Sequence, residues 1–240
     1  MEEAMEENTQ KTNKEKIELT ILMPCLNESS NIGYSLRAAT DFLLNNNISG
    51  EIIVVDNDSS DNSADIASSF GARVITESHK GYGKALRTGI KHAAGTYTIM
   101  GDCDSTYDFR QLMPFLIKLR SGCDLVVGNR FSGNIESGAM PFLHRYLGIP
   151  FLSFLGRKKY HVEIHDFHCG IRGFKTKAAQ KLPLKCNGME FATEIIACFA
   201  KTNARIAEVP ATLSVSRSPR NSHLRSIQDG ARHLVYMLKN

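Results

Sequence analysis

The sequence predicts an α/β domain on a mostly parallel central sheet flanked by helices. Three observations carry this. Short apolar runs alternate with helix-length segments along the chain. The run Glu51-Ile52-Ile53-Val54-Val55 is apolar without alternation, as in a strand covered on both faces. Polar clusters follow the runs at their carboxyl ends, where ligands collect in such sheets.

Taken in order, Met1 to Lys16 is polar, acidic and then basic, and reads as a disordered tail before a single domain over 17–240. Leu19 to Met23 reads as the first strand, stopped by Pro24, with Asn31 capping a helix to about Asn46. Glu51 to Val55 is the second strand, followed by a polar turn from Asp56 to Ser63 and a short helix over Ala64 to Phe70. Arg73 to Thr76 is the third strand, and a helix opens at Gly81-Tyr82-Gly83-Lys84 and runs to Ala94. Gly95 breaks it before the fourth strand, Tyr97 to Met100. A helix over Phe109 to Arg120 and a strand over Asp124 to Val127 follow.

The stretch Pro141 to Leu155 is rich in large apolar residues and leads into Arg157-Lys158-Lys159. It fits either a helix pair covering the sheet or an in-plane membrane contact with cations at the headgroups. A helix from about Gly188 to Lys201, a strand over Ile206 to Pro210 and a final helix over Ile227 to Leu238 complete the pattern.

Composition excludes several classes. Of the 240 residues, 42% are hydrophobic and 22% charged, ordinary for a globular chain. The net charge of +4 is spread rather than blocked, which gives no footprint for nucleic acid. Six cysteines without a CxxC pair, in a chain with no secretory h-region at its start, read as reduced cytosolic thiols. No uninterrupted apolar run reaches the length of a membrane span.

The chemistry centres on Asp102 and Asp104 after the fourth strand. Side chains two apart on extended backbone face the same way, so the two carboxylates can grip one divalent cation, which shares its remaining oxygen partners with a substrate's phosphates. An Asp-x-Asp occurs by chance in many turns, and the reading gains its weight from the other strand ends: Pro24 with Asn27 and Glu28, and Asp56 with Asn57.

Together with Gly81 to Arg87, Gly101 to Phe109 and Asp166-Phe167-His168-Cys169-Gly170-Ile171-Arg172-Gly173-Phe174, these residues resemble family 2 glycosyltransferases of the GT-A fold. The branch they look like is that of the polyprenyl-phosphate (dolichyl- or undecaprenyl-phosphate) mannosyl- and glucosyltransferases, and the resemblance spans Ile17 to about Leu238. It implies a nucleotide-sugar donor, Mg2+ or Mn2+, and a polyprenyl-phosphate acceptor at the cytosolic membrane face.

Residue by residue, the resemblance gives Asp56 and Asn57 the nucleobase, Pro24 the wall beside it, and Gly81 and Gly83 a backbone that lets the donor approach. Lys84 or Arg87 would hold phosphate or the Asp102 carboxylate. Asp102 would reach ribose or metal, and Asp104 would coordinate the metal on the diphosphate. Asp166 would act near the acceptor as base or orienter, with Arg130 and Arg172 on the acceptor phosphate and Glu190 in reserve. Arg217 and Arg220 lie in a stretch resembling a loop that closes over the diphosphate. Many relatives continue into membrane helices where this chain stops at Asn240, which leaves peripheral action on a lipid, a catalytic piece or a non-lipid acceptor open. Two alternatives stand beside lipid transfer: a glycan or small-molecule hydroxyl acceptor, and an inactive nucleotide-sugar-binding protein.

Overall fold

The computed structural model describes residues 16–218 and 226–240. The expected tail lies outside that range except for Lys16, as does the stretch 219–225 with Arg220. A seven-stranded sheet organises the chain: β1 Leu19–Cys25, β2 Gly50–Asp56, β3 Arg73–Thr76, β4 Tyr97–Met100, β5 Leu125–Ile135, β6 Arg172–Lys175 and β7 Ile206–Leu213. Their order across the sheet is β3-β2-β1-β4-β6-β5-β7. Neighbours run parallel except at β6, which is antiparallel to both β4 and β5. The helices are α1 Ile32–Asn45, α2 Ser63–Ser69, α3 Tyr82–His92, α4 Met113–Arg120, α5 Ile149–Tyr160, α6 Thr176–Gln180, α7 Phe191–Ala200 and α8 Ser226–Lys239. Among the described residues no helix is long and apolar enough to cross a membrane.

Register sets up the site. Cys25 pairs with Asp56 at the ends of β1 and β2. On the other flank Met100 pairs with Leu22, and the Gly101 N–H donates to the Leu22 carbonyl at 3.0 Å. The chain therefore leaves β2 and β4 on opposite sides of the β1 carboxyl end. Leu19, Ile21, Leu22 and Met23 are fully buried beneath it, with Ile53 to Val55 alongside.

Three elements depart from the sequence expectation. Pro24 does not stop β1 but pairs opposite Val55 inside it. In a parallel strand alternate residues bond to alternate neighbours; Leu22 faces β4, so Pro24 does too, and β4 has already ended there. Its missing N–H leaves nothing unpaired. The helix expected over Phe109–Arg120 is divided into a 3-10 turn, Phe109–Gln111, and α4, with Pro114 in the first turn of α4 where no N–H is needed. The strand expected to end at Val127 continues to Ile135, because past an irregularity between Asn129 and Asn134 it regains β7.

The apolar stretch 141–155 does not form a helix pair buried on the sheet. A π-helical turn, His144–Gly148, leads into α5, whose buried face is Ser153, Gly156 and Tyr160. Phe142, Leu143, Tyr146 and Leu147 are 60–72% exposed, and Phe151 and Phe154 are also exposed. Gly156 gives α5 its approach, since a Cβ there would meet the Phe167 ring at 2.6 Å.

The β5–β7 contact is equally close. A Cβ on Gly133 would lie 2.1 Å from the Ala211 carbonyl oxygen, and backbone cannot turn aside as a side chain can. Gly133→Ala should therefore destabilise the fold by about 1–3 kcal/mol in thermal or urea denaturation; an unchanged midpoint would show that these strands are not so tightly apposed.

Candidate active site

Three carboxylates gather around the end of β1. Asp56, the last residue of β2, is buried; its Oδ2 accepts the Ser59 N–H at 3.4 Å, while Oδ1 has no partner among the described residues. Across β1, Asp104 Oδ1 accepts the N–H and hydroxyl of Thr106 at 3.0 and 2.5 Å. Asp102 hydrogen-bonds the phenol of Tyr82, whose pKa burial and the Asp102 charge push up. Between the two sets lie the buried thiols of Cys25 and Cys103, the latter donating to the Pro24 carbonyl at 3.1 Å; the first feels the charge of Asp56, the second those of Glu28 and Asp104.

The donor set suits a hard divalent cation. Asp102 and Asp104 offer carboxylate oxygens, and among the described residues no group of three or more His, Cys, Asp or Glu side chains could form a complete protein cage. Such a set fits Mg2+ or Mn2+, which Asp102 and Asp104 would hold and whose remaining ligands would be oxygens from outside the protein. Gly170 supports this arrangement, because a Cβ there would lie 2.4 Å from Asp102 Oδ2.

Asn31 is a hub that sequence reasoning took for a helix cap. It makes no side-chain cap bond to α1. Its Nδ2 donates to Glu28 Oε2 at 3.2 Å, and its Oδ1 accepts the Ser105 hydroxyl at 3.3 Å and the Ser218 N–H at 3.1 Å. Residues 216–218 thus form a strap over the Asp104 loop: the Ser216 hydroxyl donates to the Asp104 carbonyl at 2.9 Å and the Arg217 N–H to Ser105 Oγ at 2.9 Å. The Arg217 guanidinium stacks 3.7 Å from the centre of the Tyr34 ring. Asn27, in left-handed backbone at φ 55°, accepts the Ser60 N–H at 2.7 Å, so it and Glu28 shape the turn after β1 against the turn after β2.

Several expected ligand contacts are instead internal ties. Asn57 Nδ2 donates to the carbonyls of Glu77 and His79, both at 2.9 Å, and its Oδ1 accepts the Gly81 N–H at 2.7 Å. This amide joins β2 to the loop before α3, and the expected base contact from Asn57 is corrected accordingly. Gly81 and Gly83 make room for protein rather than donor: Cβ atoms there would lie 2.3 Å from the Asn187 oxygen and 2.5 Å from the Cys186 oxygen. Arg87 is tied to Lys185 O and Asn187 Oδ1, each at 2.8 Å, and Lys84 pairs with Glu77 at 3.3 Å.

On the far side, Arg130 grips the fully buried Asp166 with two parallel bonds of 2.7 and 2.8 Å, while its own side chain stays 9% exposed. Asp166 also accepts the N–H groups of Arg130 and His168, so both of its oxygens are engaged inside the protein. Arg172 is fully buried and donates to the carbonyls of Cys169, Ala192 and Phe167, which corrects its assignment to an acceptor phosphate. Glu190 Oε1 accepts the Gly188 N–H at 3.2 Å, while Oε2 is buried without a partner among the described residues. Tyr82 within the glycine motif, Tyr107, whose hydroxyl accepts the Gly170 N–H at 3.1 Å, and Asn31 join the site without a role assigned from the sequence.

Two consequences are measurable. The Gly170 clash is with the mobile end of a side chain, so Gly170→Ala should leave the melting temperature near that of the parent while displacing Asp102 and cutting divalent-metal-dependent nucleotide affinity by about tenfold or more; equal affinity would remove Gly170 from the site. Glu77, hydrogen-bonded by Thr88 and then by the His79 N–H and Lys84, has its carboxyl lowered from about 4.5 to about 2. A depressed acid contributes stability above its unfolded pKa and loses it as pH falls through its folded one. Stability should therefore fall between about pH 4.5 and 2, and Glu77→Gln should flatten that limb of a pH-dependent urea titration.

Residues 20–183 match the family model described as glycosyl transferase family 2. The chain is 37% identical over 223 residues to the low-salt glycan biosynthesis hexosyltransferase Agl6 of Haloferax volcanii, covering 92% of this chain but 53% of that protein, about half its length. It is 31% identical over 193 residues to a dolichyl-phosphate hexose transferase of the same organism, with 80% and 81% of the two chains covered. Among solved structures, glucosyl-3-phosphoglycerate synthase from Mycobacterium tuberculosis, in complex with Mn2+, uridine diphosphate and glucosyl-3-phosphoglycerate, superposes with a TM-score of 0.70 at 19% identity, over 92% of this chain and 78% of that one. With a GT-A sheet, paired carboxylates at its rim and a family match over most of its length, the chain belongs to glycosyl transferase family 2.

Proposed function

We propose that the protein is a metal-dependent inverting transferase that moves a hexose from a UDP- or GDP-linked donor to polyprenyl phosphate at the cytosolic membrane face. The observation that carries the donor half is Asp56 Oδ1, a buried acceptor without a partner among the described residues, on the flank of β1 opposite Asp102 and Asp104. A buried acceptor left unpaired is costly. The ring N–H of uracil or guanine answers it. A divalent cation held by Asp102 and Asp104 supplies charge stabilisation for the departing diphosphate.

In the reaction an acceptor phosphate oxygen forms a bond to the anomeric carbon as the bond from that carbon to the donor's diphosphate oxygen breaks, with the electron pair leaving on the nucleoside diphosphate. The nucleophile is already anionic, so no base has to remove its proton. That agrees with Asp166 being engaged by Arg130, a residue suited to orient an acceptor phosphate. The exposed apolar residues from Phe142 to Phe154, beside Arg145 and Arg157-Lys158-Lys159, support a peripheral membrane contact. Six free cysteines favour the cytosolic side. The relatives named above, a hexosyltransferase and a dolichyl-phosphate hexose transferase, point the same way.

A hydroxyl acceptor on a glycan or small molecule is the second reading, favoured by the unpartnered Glu190 Oε2, which could serve as its base. The deciding experiment incubates the purified chain with labelled nucleotide hexoses, with and without polyprenyl phosphate. With Mg2+ or Mn2+ the label should enter the lipid fraction, and chelation should stop it. Asp104→Asn should cut turnover by about 100-fold or more with little loss of stability. Label reaching only a water-soluble product would overturn the lipid acceptor and favour the second reading; full turnover by Asp104→Asn would overturn the metal assignment.

A further inference from the structure

Asp102 and Asp104 stand beyond the end of their strand. β4 stops at Met100, and from Gly101 to Asp108 the backbone is neither helix nor strand, so sheet register does not set where Asp104 points. Helix α1 packs against this loop and supplies what the sheet does not. Its buried face is apolar at Ile32, Leu36, Ala38, Ala39 and Phe42, and Ser35 interrupts that face with a side chain at 0% exposure. A buried hydroxyl is costly unless it is bonded. Ser35 Oγ donates at 3.0 Å to the Cys103 carbonyl, in the peptide that leads into Asp104. One turn earlier stands Asn31, whose carbonyl accepts the Ser35 N–H at 3.4 Å; a spacing of four puts both side chains on one face. Asn31 Oδ1 accepts the Ser105 hydroxyl at 3.3 Å, on the other side of Asp104. Ser105 itself is in left-handed backbone at φ 66°, which a residue other than glycine keeps only when its surroundings enforce it.

We infer that Ser35 and Asn31 are positioning residues for the metal: from one face of α1 they hold the chain on both sides of Asp104 and fix the direction in which its carboxylate is presented. Each acts through the residue next to Asp104 and not on the cation itself. A carboxylate already in place spares the binding step the cost of ordering it, so the effect falls on metal affinity. Asn31 adds a coupling. Its one oxygen also accepts the Ser218 N–H, while Ser105 Oγ accepts the Arg217 N–H and the Asp104 carbonyl accepts the Ser216 hydroxyl. The strap and the Asp104 loop therefore settle together.

The inference rests on the proposed donor site, and the experiment separates the two. Affinity of the full chain for UDP and GDP is measured by calorimetry with and without Mn2+, bound Mn2+ is followed by electron paramagnetic resonance, and the melting temperature is recorded. Ser35→Ala should lower the Mn2+-dependent affinity by about tenfold, change the resonance of bound Mn2+ and leave metal-free nucleotide affinity as in the parent. Ser35→Thr, which keeps the hydroxyl, should recover it. Ser105→Gly suits the left-handed backbone and deletes the hydroxyl that reaches Asn31, so it should keep the parent's melting temperature and lose Mn2+-dependent affinity in the same way. Parental Mn2+ affinity in both deletion variants overturns the inference, as does a loss that is equal with and without metal. A parent chain that binds neither nucleotide, or binds them no better with Mn2+, overturns the donor reading and this inference with it; a binding parent with unaffected variants overturns the positioning role alone.

Discussion

The parallel register of β1 between β2 and β4 is the constraint on which the rest depends. Because β2 runs level with β1 to Cys25, while β4 stops opposite Leu22, the chain leaves β2 and β4 at different heights on two sides of one strand end. The first exit carries Asp56 and the second carries Asp102 and Asp104. A slip of one residue in either pairing would turn alternate side chains to the opposite face and separate these carboxylates. The buried residues Leu19 to Met23 and Ile53 to Val55 oppose such a slip, since it would also unpack the core.

Bringing acidic groups together is unfavourable unless other contacts hold them, and the molecule supplies such contacts from distant parts of the sequence. Gly170, Tyr82 and Tyr107 come from three separate segments to fix the surroundings of Asp102. Asn31 joins Glu28, Ser105 and Ser218 through one amide. Arg130 neutralises Asp166, and Arg172 is held by three carbonyls from two chain segments. Buried side chains of this kind fix the loops after the strands, and loops held by such bonds place functional groups more reproducibly than solvent-exposed ones.

The strands were legible in the sequence because both faces of the sheet are covered, so Ile52 to Val55 and Ile21 to Met23 appear as unbroken apolar runs. The outer half of β5 was not, since Asn129 to Asn134 is mostly polar and interrupts the pairing, which resumes at Asn134 and Ile135 with β7 far along the chain. Carboxylates after the strand ends were legible too, since position after an apolar run is a local property, although β4 ends at Met100 and the extended backbone expected to align Asp102 with Asp104 is not there. Residue roles set by distant partners were not. Nothing near Asn57 announces that its amide is consumed by Glu77, His79 and Gly81, and nothing near Gly83 announces the carbonyl of Cys186. An arginine in a polar cluster reads as an anion ligand until burial shows Arg172 facing backbone oxygens.

The state of Asp166 bears on the choice between acceptors. A hydroxyl nucleophile has to lose its proton during transfer, so it needs a nearby group with an available lone pair and a suitable pKa. Asp166 is poorly placed for this: it is fully buried, bidentate to a guanidinium, and accepts two further N–H bonds. Each of those bonds occupies a lone pair that a departing proton would need. A phosphate nucleophile removes the requirement and replaces it with another, a fixed cation to orient it. An arginine held rigid by a buried carboxylate meets that second requirement without meeting the first. The same pair that weakens the case for hydroxyl transfer therefore strengthens the case for phosphate.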